Sequence, residues 1–216
     1  MYTEQKPFNK EEVHLKSKKK LPSNNPAEQV KVFVIPGGHK PERKTAGAVG
    51  FDLGVRAIVS LEFEKDHPER RIAYFDFTKR PEDTKARKRA QRVKKEGGGY
   101  EWVYVLPPHG RCVVASGITL DVPHCLCWYV RPRGSTPFRG IVVASADVPG
   151  DPDFRGEPVA VLINDSSKPF EIRHGQRLVQ LVFEHAVRPE LITVERHSAL
   201  RKSKRGCGCN GSTGHH

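Results

Sequence analysis

At 216 residues the chain is long enough for one domain with a real core, or for one domain with appendages. Hydrophobic residues make up 37% and charged residues 29%, too polar for the whole length to be core, and a formal charge of +12 favours anionic partners, nucleotides or nucleic acid. No apolar run is long enough to span a bilayer, no leading apolar stretch ends in a small-residue cleavage site, and five cysteines fit a reducing compartment better than a disulfide framework; the expectation is an intracellular protein, cytoplasmic or nuclear, with no membrane contact.

Residues 1–28 form a lysine-rich polar arm with Pro7, Pro22 and Pro26, which reads as disordered. A β domain is expected over 29–200, opening on the alternating run Val30–Ile35. Short β-rich runs follow at Ala57–Phe63, Ile72–Phe77, Glu101–Val105, Cys112–Ala115, Cys125–Val130, Ile141–Ala144, Val159–Ile163, Arg177–Phe183 and Thr193–Arg196. Turn signals such as Pro-Pro-His-Gly and Pro-Gly-Asp-Pro-Asp separate them, which argues for an all-β barrel or jelly roll. One segment breaks the pattern. Pro81–Glu96 has proline at its start, acids in the first turn, bases later and Gly97-Gly98-Gly99 beyond, so it predicts a surface helix over 81–96 within an insertion spanning 62–104. Ala86, Ala90 and Val93 give that helix only a thin apolar stripe. With the arm it carries half of the excess positive charge, either as solvated appendages or as a nucleic-acid contact through the basic helix. Residues 201–216 are a glycine-rich tail, expected to be a flexible lid. Glycine lets successive backbone N–H groups converge on a polyphosphate, and Ser and Thr add short donors.

Four further fragments carry chemistry. Gly150–Glu157 sets Asp151, Asp153 and Phe154 in a tight turn, where a carboxylate can meet a ligand and an aromatic face can meet a sugar; Asp can equally serve turn geometry alone. Arg131–Thr136 offers arginine forks, a free N–H and a hydroxyl to phosphate, or is an ordinary exposed loop. His174–Val182 is a glycine turn leading into a strand with one polar intruder, Gln180. Asp52 stands between apolar residues in Gly50–Leu53, as a turn or strand-end aspartate.

Taken in order, these fragments resemble the five motifs of the dUTPase family, the deoxyuridine triphosphate nucleotidohydrolases. Val49-Gly50-Phe51-Asp52-Leu53 resembles A-G-Y-D-L, Pro132-Arg133-Gly134-Ser135 resembles P-R-S-G, and Asp151–Glu157 resembles D-x-D-Y-R-G. Gly175–Leu181 resembles G-D-R-I-A-Q-L, and Arg205–Gly214 resembles the tail motif R-G-x-G-G-F-G-S-T-G. The resemblance covers roughly residues 30–60 and 105–214 and implies a jelly-roll-like homotrimer with shared active sites. It also implies Mg2+-assisted hydrolysis of dUTP to dUMP and pyrophosphate. On these residues, Asp151 would activate the water and Phe154 would stack on the deoxyribose. Arg133, Gly134, Ser135 and Gln180 would hold phosphates, and Gly150 lies beside the base. Asp52 would touch the metal through water, and Arg205, Asn210, Gly211, Ser212 and Thr213 would belong to the closing tail.

The departures are specific. The second motif reads R-G-S, and the stretch from Arg133 to Asp151 is one residue longer than usual. Pro149 removes an N–H from the hairpin that normally reads uracil. Gln176 replaces an aspartate, and Asn210 stands where a phenylalanine normally covers the base. Three alternatives stay open on sequence: a same-fold hydrolase with altered base preference, a dCTP deaminase-like enzyme, and a non-catalytic nucleic-acid or regulatory protein. Cys125-x-Cys127 and Cys207-x-Cys209 also allow a four-cysteine zinc site or a redox effect on the tail, although the C-x-C spacing suits zinc poorly.

Overall fold

The computed structural model of the chain describes residues 28–204 and Gly206. The chain divides into two compact units, Met1–Ala186 and Val187–His216. In the first unit the strands are β1 (Lys31–Val34), β2 (Phe51–Gly54), β3 (Ala57–Phe63), β4 (Arg71–Asp76), β5 (Ala90–Lys94), β6 (Tyr100–Leu106) and β7 (Arg111–Ala115). They continue with β8 (Ile118–Asp121), β9 (Leu126–Pro132), β10 (Ile141–Val143), β11 (Val159–Asn164), β12 (Phe170–Ile172) and β13 (Arg177–His185). Every pairing among them is antiparallel. The sheets run β10-β11-β7-β3-β4, β12-β6-β5, β2-β13-β9 and the pair β1-β8. This is the all-β, jelly-roll-like architecture that the turn-punctuated sequence predicts.

The period-2 pattern decides which side chains enter the core. Along β9, Leu126, Trp128 and Val130 are buried while Cys127 and Tyr129 are only partly covered; along β11, Ala160, Leu162 and Asn164 are buried. Leu53, Ile58, Phe75, Leu106, Ile118, Leu178 and Leu181 join the apolar members of these two strands in one cluster that ties the sheets together. Fully burying each such aliphatic or aromatic side chain contributes about 1.5–3 kcal/mol relative to exposure.

The helix expected over 81–96 is corrected by the structure. Only one turn, α1 (Thr84–Arg87), is helical, and the chain then extends into β5. The start signals are genuine: the Asp83 side chain caps the turn, accepting from Lys85 N at 2.8 Å and Ala86 N at 2.9 Å, and Ala86 is buried. A longer helix would have had only Ala90 and Val93 left to bury. As a strand, residues 90–94 instead gain a full backbone ladder with the aromatic and β-branched run of β6, from Ala90↔Tyr104 to Lys94↔Tyr100. Gly97, Gly98 and Gly99 all have positive φ, so they form the hairpin turn rather than a helix stop.

The strand expected at Thr193–Arg196 is likewise not formed. In the second unit the described residues are irregular apart from a 3₁₀ turn at His197–Ala199. Residues 1–27 of the arm, Arg205 and residues 207–216, with Cys207, Cys209, Asn210, Gly211, Ser212 and Thr213, lie outside the described residues.

Candidate active site

β13 lies between β2 and β9, and that placement gathers three of the sequence fragments. Its Gln180 stands opposite Asp52 on one side and Arg131 on the other. The Gln180 amide donates to Pro132 O at 3.0 Å. Its Oε1 occupies the space a Cβ on Gly50 would need, 2.2 Å away, so a larger residue at position 50 would displace the Gln180 amide. Arg133, just past β9, donates from Nε to Asp52 Oδ1 at 2.7 Å and from Nη1 to Arg177 O at 3.1 Å. Asp52 Oδ2 is buried, lies 3.4 Å from Arg177 Nη1 and accepts no hydrogen bond among the described residues. Below the loop, the buried Thr136 donates to Leu178 O at 2.6 Å and its N–H to Arg133 O at 2.9 Å. Gly134 and Ser135 are therefore turned out to solvent, and nothing lies within 4 Å of a Cβ built on Gly134. Two guanidiniums share one carboxylate here, leaving a positive balance suited to phosphate oxygens.

The Asp151 turn is built differently. Gly150 makes a two-way backbone bridge to Trp128, donating at 2.6 Å and accepting at 3.3 Å. A Cβ on Gly150 would fall 2.0 Å from the indole. Trp128 Nε1 donates to Asp151 O at 3.2 Å, and Phe154 N closes the turn onto the same carbonyl at 3.2 Å. The Phe154 ring is half-buried against Trp128, with centroids 6.2 Å apart and planes tilted by 38°. The Asp151 carboxylate itself is exposed. Downstream, Glu157 is completely buried and accepts from Arg56 Nε and Nη2, both at 2.8 Å, from Gly117 N at 2.8 Å and from Arg71 N at 3.1 Å. Arg155 reaches Asp121 at 2.8 Å. The turn is thus held at Trp128 on one side and at Glu157 on the other.

Within the chain these groups do not converge. Asp52, Arg133 and Gln180 meet at the Pro132 end of β9, while Gly150, Asp151 and Phe154 sit at Trp128, four positions or about 14 Å back along the strand. The hairpin before Asp151 lies between them in sequence. Its Asp147, Val148 and Pro149 are exposed, and Asp147 lies 3.5 Å from Arg131. Gln176, at the aspartate position of the fourth motif, accepts from Arg173 N at 3.0 Å through its side chain and from Val55 N at 3.1 Å through its carbonyl, so here it closes the β12–β13 turn.

Three contributors escape a reading of the sequence for site residues: Trp128, Arg177 and the Arg56–Glu157 pair. Trp128 is visible there only as an inward position of a strand, and the pair joins residues 101 apart, which no local pattern encodes. For a metal, no group of three or more His, Cys, Asp or Glu is assembled among the described residues. Asp52 is shared by Arg133 and Arg177 and its Oδ2 is buried, so it would reach a cation only through water and not as part of a protein-built metal cage. No helix among the described residues is long and apolar enough to cross a membrane.

Comparison with known proteins finds relatives of this chain and of its fold. A deoxyuridine 5'-triphosphate nucleotidohydrolase of Beijerinckia indica is 41% identical over 112 residues, 51% of this chain and 68% of its own. The mitochondrial deoxyuridine 5'-triphosphate nucleotidohydrolase of Dictyostelium discoideum is 31% identical over 128 residues, 57% of this chain and 69% of its own. Among solved structures, the Staphylococcus bacteriophage 80alpha dUTPase with dUPNHPP shares the fold at a TM-score of 0.58 and 16% identity, covering 86% of this chain and 98% of that one. The dUTPase family model matches residues 101–214, just over half of the length, and the chain belongs to the dUTPase family.

Proposed function

We propose that the protein hydrolyses dUTP to dUMP and pyrophosphate. The observation that carries this reading is the Asp151 turn: an exposed carboxylate whose backbone is fixed by Trp128 and whose neighbour Phe154 presents a ring beside it. In the reaction, Asp151 accepts a proton from a water as its oxygen attacks the α-phosphorus. The α–β bridging P–O bond breaks, and pyrophosphate leaves. Arg133, the Gly134 N–H, the Ser135 hydroxyl and Gln180 hold the phosphate chain. Phe154 covers the sugar, leaving no room for a 2′-hydroxyl. Magnesium would be contacted by Asp52 through water, and it would supply charge neutralisation on the phosphate oxygens. The tail residues Arg205, Asn210, Gly211, Ser212 and Thr213 close over the nucleotide and exclude bulk water.

Because Asp151 sits at Trp128, four positions along β9 from the Pro132 end where Arg133 lies, we infer that the site is completed between subunits of a homotrimer, as the family resemblance implies. We propose the domain plan read from the sequence, a basic arm at 1–28, a β domain at 29–200 and a lid at 201–216, with the strands of the described residues ending at His185.

A second reading, altered base preference, is favoured by Pro149, which removes a backbone donor from the exposed hairpin before Gly150. Deamination is disfavoured: Val161, at the position where the related deaminases carry their glutamate, is apolar, and its N–H is bound to Ser145 Oγ at 3.0 Å. Pyrophosphate release from dUTP, dCTP, dTTP and UTP with magnesium separates these readings. Release from dUTP alone is expected. Preference for another base supports the second reading, and no release from any of the four overturns both.

A further inference from the structure

The basic segment that carries helix start signals is an ordered hairpin, and its charge is distributed unlike the rest of the fold. Residues 79–96 hold nine Lys and Arg against three Asp and Glu, half of the chain's formal +12. Elsewhere most arginines of the β domain are paired with acids: Arg56 with Glu157, Arg70 with Glu64, Arg131 with Asp147 and Glu184, Arg133 and Arg177 with Asp52, Arg155 with Asp121, and Arg173 with Glu101 and Glu171. By contrast Lys85, Arg87, Lys88, Arg89, Arg92 and Lys94 are all exposed and form no ion pair among the described residues.

β5 is the edge of its sheet, and Arg92 lies 4.7 Å over the ring of the exposed Tyr100. Beside it opens a recess of about 680 Å³, lined by Lys85, Lys88 and Arg89 together with Tyr74 and Tyr104, whose hydroxyls lie 3.3 Å apart. Asp83 also lines it, but its carboxylate is engaged by the N–H groups of α1. Burial raises both phenols above their ordinary range, which keeps them as neutral donors.

We propose that the β5 hairpin and this recess form a binding surface for the phosphodiester backbone of nucleic acid. Edge lysines alone would serve to block strand pairing. Here, however, three of the cations are arginines, whose forks match phosphate oxygens, and they extend beyond the strand into α1 and its exit. The five residues of β5 span about 17 Å, several phosphate spacings, so a polymer suits the ribbon better than a single phosphate. A membrane surface fits less well, because Tyr100 is the one large exposed side chain of apolar character on the hairpin, and interfacial binding needs an apolar face.

The test uses the full chain and fluorescence anisotropy with 20-nucleotide single-stranded and duplex DNA of arbitrary sequence, from 50 to 200 mM NaCl. The triple variant Lys88→Gln/Arg89→Gln/Arg92→Gln should bind at least about tenfold more weakly at 100 mM salt, with the log–log salt slope reduced by about 2–3. Its pyrophosphate release from dUTP should stay within about twofold of the parent, which separates this proposal from the catalytic reading. If the triple variant melts early, Lys94→Gln/Lys95→Gln at the hairpin tip should still lower the slope by about 1–2. Parent-like binding by the variants would place the binding elsewhere, for instance on the lysine-rich arm, and overturn the proposal. So would no DNA binding by the parent at 100 mM salt, or binding to phosphatidylserine vesicles without binding to DNA.

Discussion

The Asp52–Arg133–Gln180 group and the Asp151 turn both belong to the candidate site, yet they are held in opposite ways. In the first, side chains hold side chains: the Arg133 guanidinium is bound to a carboxylate and a carbonyl, and the Gln180 amide to Pro132 and the face of Gly50. In the second, the backbone is held and the reactive side chain is left exposed: Trp128 grips Gly150 and the Asp151 carbonyl while the carboxylate faces solvent. The difference matches the tasks proposed for them. Groups that position phosphates gain from fixed geometry, whereas a base must exchange a proton and so must stay accessible.

The sharpest break is Asp151→Asn. The amide keeps the shape of the turn, because the turn is held through the backbone, but it cannot accept the proton. Steady-state pyrophosphate release should fall by about 10³-fold. Binding of a non-hydrolysable dUTP analogue, measured by calorimetry, should stay within about threefold. Equal loss of binding would mean that Asp151 holds the ligand rather than the water. Next in size is Gly150→Ala. Its Cβ meets the Trp128 ring at 2.0 Å, so the turn must shift. We expect a drop in kcat of about 10²-fold from misplacement of the carboxylate, together with about 1–3 kcal/mol of lost stability in urea unfolding. An unchanged kcat would show that the anchor does not set the position of Asp151. The other group should respond more gently. Arg133→Lys removes the fork that now spans Asp52 and Arg177 O, and KM for dUTP should rise by about tenfold with kcat within about threefold. A larger loss in kcat than in affinity would make Arg133 a transition-state group and erase the contrast between the two regions.

Much of this is legible in the residues, and the reasons differ by element. β3 is readable to its observed bounds because Ala57–Phe63 is apolar, β-branched and closed by charge. The motif residues are legible because their order along the chain survives any detail of packing. The basic segment misleads because helix start signals are local and real, as the Asp83 cap shows, whereas the reward for extending into β5 comes from β6, beyond the Gly97–Gly99 turn. Trp128 and the Arg56–Glu157 pair are hidden for a related reason. Their roles depend on which backbone or side chain lies across a sheet, and a period-2 pattern gives the face of a residue but not its neighbour. Pro149 shows the converse: the lost donor can be read directly from sequence, because proline lacks an N–H in any fold.

The smallest effect tests the aromatic beside Asp151. Phe154 is where the family usually has tyrosine, and in this structure the ring is held by packing on Trp128 at 6.2 Å, not by a polar group at its tip. If stacking is the working feature, Phe154→Tyr keeps the ring on Trp128 and should change kcat/KM for dUTP by no more than about twofold. Phe154→Ala should instead raise the relative rate on UTP, because the ring that crowds a 2′-hydroxyl is gone. The ratio of kcat/KM for dUTP and UTP, measured for both variants, checks this. A tyrosine variant that changed the ratio as much as alanine does would mean that the ring is placed by polar contacts. The Asp151 turn would then be held by side chains after all, as the Arg133 loop is.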